Sequence, residues 1–128
     1  NATVTSAEIT LYITNASRDT FQLFGLTQAW NEGQVTWQQA AKGTNWSSAG
    51  ASNNGQSIGT VNATSKGAVT ISLNAAGIAL VQSWIDNPAS NFGITLQNYS
   101  ASSDILSFAS RETKAINERP KLSLTYTV

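Results

Sequence analysis

A chain of 128 residues is one domain's worth, long enough to bury a core without disulfides or metals. Lys and Arg balance Asp and Glu at 7 each and only 11% of residues are charged, so solubility rests on abundant Ser, Thr, Asn and Gln. That balance lacks the basic face with which a nucleic-acid binder neutralises phosphates. Cysteine and histidine are both absent, which removes disulfides, thiolate metal sites and the usual general base. Methionine is absent too, and no basic-then-apolar leader opens the sequence, as expected of a mature, processed or excised segment. No apolar run reaches membrane-spanning length, so no membrane insertion is expected.

The first periodic stretch, residues 4–14, alternates Ile9, Leu11 and Ile13 with Glu8, Thr10, Tyr12 and Thr14, the period of a half-buried strand. A turn cluster over 15–19 and a second alternating stretch over 20–26 predict a β-hairpin. Residues 27–36 read as a loop or short helical turn running into an extended piece at Val35-Thr36-Trp37. From 40 to 66 the periodicity is lost. Gly, Ser, Asn and Ala dominate, Trp46 is the one large side chain, and a long loop system with a short strand over 58–61 is expected. Val69, Ile71 and Leu73 mark the next strand. Asn74 is then an N-cap for a short helix carrying Ile78, Val81, Trp84 and Ile85 at helical spacing, stopped by Asn87-Pro88. Phe92, Ile94 and Leu96 give a strand, 100–104 a polar turn, 105–110 a strand and 111–119 a polar connection. The closing strand over 121–128 places Leu122, Leu124 and Tyr126 on one face. Short strands, one helix and no alternating βαβ pattern predict an all-β antiparallel sandwich, one domain over 1–128.

The chemical inventory disfavours catalysis. Seven dispersed acids allow many carboxylate pairs but single out none, and no Gly-x-Ser-x-Gly elbow is present. No enzyme is therefore expected. No cofactor is expected either. Calcium is the one ion left open, through Asp104, Glu112 and backbone carbonyls, and no metal is the simpler reading. Aromatic side chains are the better clue, because sugar rings stack on exposed indole and phenol faces. Trp30, Trp37 and Trp84 are expected in the core. Trp46 and Tyr99 lie in polar surroundings that suit packing and presentation equally, and Lys42 and Arg18, in loop segments, would pair with an acidic sugar. Glu32, between two indoles, is expected to hold local backbone amides. Asn1, Asn15, Asn45, Asn62 and Asn98 head Asn-x-Ser/Thr sequons, most of them in predicted turns.

Several segments carry a family resemblance. Residues Ser6-Ala7-Glu8-Ile9-Thr10-Leu11-Tyr12-Ile13 resemble the "SA-x-L-x-L-Y-V" strand of the DNRLRE domains, the disaggregatase-related and alginate-binding-type carbohydrate-binding modules. Trp30-Asn31-Glu32-Gly33-Gln34-Val35-Thr36-Trp37 is similar to their W-x-E-x-x-V-T-W element. Val81 to Trp84 with Asn91 to Leu96, Phe108-Ala109-Ser110-Arg111-Glu112, and Arg119 to Leu122 resemble the remaining motifs in the same order. The resemblance implies a jelly-roll-like β-sandwich, secreted or displayed on a cell surface, with Trp30, Glu32, Trp37, Trp84, Arg111 and Glu112 as its structural signature. It implies a module binding a polysaccharide, acidic if Lys42 and Arg18 take part. Family members carry further strands before the position matching Asn1. On that comparison the sheet is incomplete here, and a second polypeptide or neighbouring subunit would supply the missing strands, unless the fold is a shortened variant. The competing expectation is a structural subunit of a surface filament, matrix or adhesin.

Overall fold

A computed structural model describes residues 1–98 and 104–128. Its strands are β1 (Thr3–Asn15), β2 (Phe21–Leu26), β3 (Gln39–Ala41), β4 (Thr44–Asn45), β5 (Asn53–Val61), β6 (Gly67–Ser72), β7 (Ile94–Gln97), β8 (Ser107–Phe108) and β9 (Lys121–Thr127). Among the described residues there is one α-helix, α1 (Ala75–Asp86), and two 3₁₀ turns, Pro88–Ser90 and Ile116–Glu118. The chain is an antiparallel β-sandwich. In one sheet the long β1 is central, with β6 along one side. On its other side β9 pairs Thr3 to Thr10 and β8 pairs Ile13 to Asn15. The second sheet is β5-β2-β7, and β3-β4 forms a separate small hairpin.

The expected hairpin between the first two strands is not formed. β1 and β2 lie in different sheets, because the connection over 16–20 crosses from one layer to the other. Ser17 fixes that corner: its amide donates to Ala63 O at 2.9 Å and its hydroxyl to Asp104 O at 2.8 Å. Alternating side chains of both strands then face one another across the core instead of lying side by side in one sheet. Ala7, Leu11 and Ile13 meet Leu23, Ile58, Val61, Ile71 and Leu73 there.

Helix α1 packs on β1 and β5 and adds Val81 to that core. The Asn74 side chain accepts from the Gly77 amide at 3.0 Å, the expected N-cap. Gln82 fastens the helix to the start of β1: its Oε1 accepts from the Val4 amide at 2.8 Å and its Nε2 donates to Ala2 O at 3.1 Å.

The expected long loop contains more order than its composition suggests. β5 is nine residues rather than the short strand expected over 58–61, since its polar first half has no apolar period to reveal it. Its register on β2 also shifts twice. The strand expected over 105–110 contracts to Ser107–Phe108. Segment 27–52, including β3 and β4, adds a layer over the outer side of the second sheet. Phe24 and Leu26 are buried beneath that layer, whereas Leu23 lies in the main core and Gly25 lies against Leu80 of α1. Phe24, Leu26, Ala40 and Trp46 are buried without belonging to the main core.

Candidate binding face

The segment from Trp30 to Trp37 starts as a turn built on Asn31. Its side-chain oxygen accepts from the Gly33 amide at 2.9 Å, and its carbonyl accepts from Gln34 and Val35. The turn lifts both flanking indoles toward solvent. Trp30 is 41% exposed and Trp37 is 57% exposed, so the expected core placement of these two residues is overturned. Trp30 is anchored through its Nε1, which donates to Phe92 O at 2.6 Å. Trp37 is anchored by its backbone: its carbonyl accepts from the Gly50 amide at 2.7 Å. Its ring lies directly against Gly50, where an added Cβ would come within 2.5 Å of Cη2. Gly50 also has φ +84, so glycine is required there twice over.

Trp46 is the reverse case. Its polar sequence surroundings suit packing and presentation equally, and the fold packs it: only 7% of it is exposed. Its Nε1 donates to Thr36 O at 2.9 Å and its amide donates to Gln38 O, so it packs beneath the segment that presents Trp37. Polar sequence neighbours concealed this, because they satisfy the backbone of the layer and leave the ring to fill it. Ser52 is the centre of that satisfaction. Its buried hydroxyl donates to Gln28 Oε1 at 2.8 Å and accepts from the Ser47 amide at 2.9 Å.

Trp37 forms one wall of a cleft of about 250 Å³, with Val35, Thr36, Trp46, Gly50, Ala51, Thr95 and Gln97 around it. Thr95 and Gln97 project from the outer face of β7, because Leu96 between them pairs with Leu23 and packs on the core. Gln97 Nε2 donates to Gly50 O at 2.7 Å and to Thr95 Oγ1 at 2.8 Å, tying the cleft floor to β7. Trp30 lies 4.0 Å from the Cβ position of Gly93, immediately before β7. Both indoles therefore flank one strand, displaced along it by roughly 7–13 Å at the usual rise per residue.

Lys42 joins this neighbourhood. It lies in the β3–β4 turn, and its amide donates to Gln34 Oε1 at 3.1 Å. Arg18 does not join it. It precedes β2, whereas the β3–β4 hairpin is tethered just beyond the other end of β2 through Gln28, whose Nε2 donates to Asn45 O. Six residues of strand are about 20 Å, so the two cations sit at opposite ends. Arg18 instead has Asp104 at 3.7 Å, and its amide donates to the same carboxylate at 2.7 Å. Tyr99 lies outside the described residues.

Glu32 does not hold backbone amides as expected. Its two oxygens accept from Arg111 Nε, at 2.9 Å, and from Nη2. Arg111 Nη1 also lies 3.2 Å from Glu112 Oε1. The Arg111 hydrogen bond, reinforced by its charge, holds the Glu32 carboxyl below the ordinary carboxylate range, and the same contact raises Arg111. Asp104 and Glu112, suggested together as calcium ligands, have different partners, and no group of three or more acids assembles among the described residues. Trp84 is half-buried against the main core. Of the sequon asparagines, Asn15 and Asn98 have their amide nitrogens donating, to Ile105 O and Asp19 Oδ2. Asn62 accepts through its oxygen from the Thr20 hydroxyl, and Asn45 is exposed on β4. No helix among the described residues is long and apolar enough to cross a membrane.

The chain matches no protein family, no curated protein and no solved structure.

Proposed function

We propose that this domain is a non-catalytic, extracellular carbohydrate-binding module whose platform is Trp37 with Trp30. The observation that carries the reading is the state of Trp37: a largely exposed indole, held flat on a glycine, beside a cleft edged by Thr95 and Gln97. The exposed indole is held by a position that only glycine suits, since Gly50 combines a left-handed backbone with direct contact to the ring. Packing alone would bury the ring. Hydroxyl-bearing rings suit an apolar face ringed by neutral hydrogen-bonding groups, and Lys42 beside the turn extends the reading to acidic polysaccharides. The motif order resembling DNRLRE domains points the same way.

Affinity electrophoresis in gels containing alginate, pectate or neutral glucans tests it. Retardation by at least one polysaccharide is expected, with Trp37→Ala weakening it more than about tenfold, equivalent to ~1.4 kcal/mol. Trp30→Ala should weaken it less, and Lys42→Ala should act on the acidic polymers alone. Migration unaffected by every polymer, or by loss of Trp37, would refute the platform.

A second reading is favoured by a separate observation. All seven residues of β9 are exposed, including its apolar stripe, which suits a structural subunit of a surface filament, matrix or adhesin assembled through strands.

A further inference from the structure

Strand β9 covers one side of β1 and leaves its own outer edge without a partner among the described residues. Its register opposes Leu122 to Ile9, Leu124 to Ala7 and Tyr126 to Val4. Directly opposed residues share a face, so these three side chains lie on the core side of the sheet, continuous with buried Val4 and Ala7. The opposite sheet does not reach them. Leu122, Leu124 and Tyr126 remain 43%, 38% and 57% exposed. Edge strands are ordinarily protected by bulges, prolines or inward-pointing charges. β9 has none of these along its length: Pro120 precedes it, the nearby register shift lies in β1, and Lys121, its one charge, is on the outer face.

We propose that β9 pairs antiparallel with β9 of a second copy of this chain, about a two-fold axis through Leu124. This rests on the strand-assembly reading and names its partner. The sequence Lys-Leu-Ser-Leu-Thr-Tyr-Thr is suited to itself in that register. Leu124 faces its own mate, Leu122 faces Tyr126, Ser123 faces Thr125 and Lys121 faces Thr127. All six apolar side chains then fall on one face and merge the two exposed stripes. The two lysines stand at opposite ends of the paired ladder, so like charges never oppose each other. A two-fold operation needs inward residues opposite inward residues, and the Leu124-centred register is the one that pairs all seven positions. The joined sheets place both cores on the same side, as a continuous twisted sheet requires.

The 128-residue chain itself provides the test, because it contains no cysteine and single thiols report the register. Sedimentation should give twice the 13.5 kDa chain mass, and Leu124→Lys should return a folded monomer, as far-UV circular dichroism would verify. Leu124→Cys should oxidise to a covalent dimer, since directly opposed Cα atoms lie within disulfide reach. Leu122→Cys should not link to itself but should link to Tyr126→Cys when the two are mixed. The thiol variants keep the question answerable even if the lysine variant unfolds. A monomer at every concentration, or Leu122→Cys linking as readily as Leu124→Cys, would overturn the proposal. The broader strand-assembly reading would survive that result, and falls only if the outer-edge amides of β9, those not bonded to β1, also exchange freely in material purified from its source.

Discussion

Glu32 and Arg111 show how much a pair of exposed side chains can be expected to do. The bond is bidentate and joins the Trp30–Trp37 turn to the segment before β9, yet both groups are open to water, where screening leaves little net stabilisation. Its signature is therefore a titration rather than a melting temperature. Because the folded carboxyl titrates below its unfolded value, the pair contributes fully above the ordinary carboxylate range and is lost as pH falls through the lowered value. Carbon-detected NMR titration should find the Glu32 carboxyl titrating below the ordinary glutamate value, moving up toward it in Arg111→Gln and in high salt. Residue-level reading from sequence failed most at the indoles. Trp46 sits among Ser, Asn and Gly yet is buried, and Trp37 follows Val-Thr yet is exposed. What separates them is the left-handed Gly50, which lets Trp37 lie on the backbone from outside. A glycine's φ is not written in the residues around it.

Among elements, α1 was the most legible, since its apolar period, Asn74 cap and Asn87-Pro88 stop all agree with one another. β5 was the least legible, because a polar half-strand that borrows its register from β2 has no pattern of its own. The same helix contains a residue whose propensity misleads. Gly77 stands in its first turn, where alanine would ordinarily add up to ~1 kcal/mol of helix stability. Here an added Cβ would lie 2.7 Å from Leu73 Cβ and 3.0 Å from Ile58 O, neither of which is the free end of a flexible side chain. Overlap must win over propensity, because relieving it means lifting α1 from β5 and loosening Val81. Gly77→Ala is expected to destabilise by roughly 1–3 kcal/mol, read as a lowered urea midpoint with unchanged m-value. A neutral or stabilising result would mean the helix rides on β5 less closely than these distances say.

At the level of the whole molecule, the domain has two apolar centres of unequal weight. The main core between the sheets draws on β1, β2, β5, β6 and α1, whereas the outer one is Phe24, Leu26, Ala40 and Trp46 beneath segment 27–52. Among the described residues, the hydrogen bonds that join the outer layer to the rest of the chain come from a few side chains: Trp30 Nε1 to Phe92 O, Gln97 Nε2 to Gly50 O, and the exposed Glu32–Arg111 pair. Segments so held open at lower free energy than a core with many interlocking elements. Trp46→Ala removes the largest buried side chain of the outer layer and strands the Thr36 carbonyl, a loss of about 3–5 kcal/mol at a buried site. If the layer were one unit with the sandwich, that loss would lower protection everywhere. The ties described here predict a partition instead. Amides over 27–52 should exchange faster by orders of magnitude in Trp46→Ala, while those of Ile13, Val61 and Val81 keep most of their protection. The same variant should lose polysaccharide binding although Trp46 itself presents no face, because Trp37 rests on the layer that Trp46 fills.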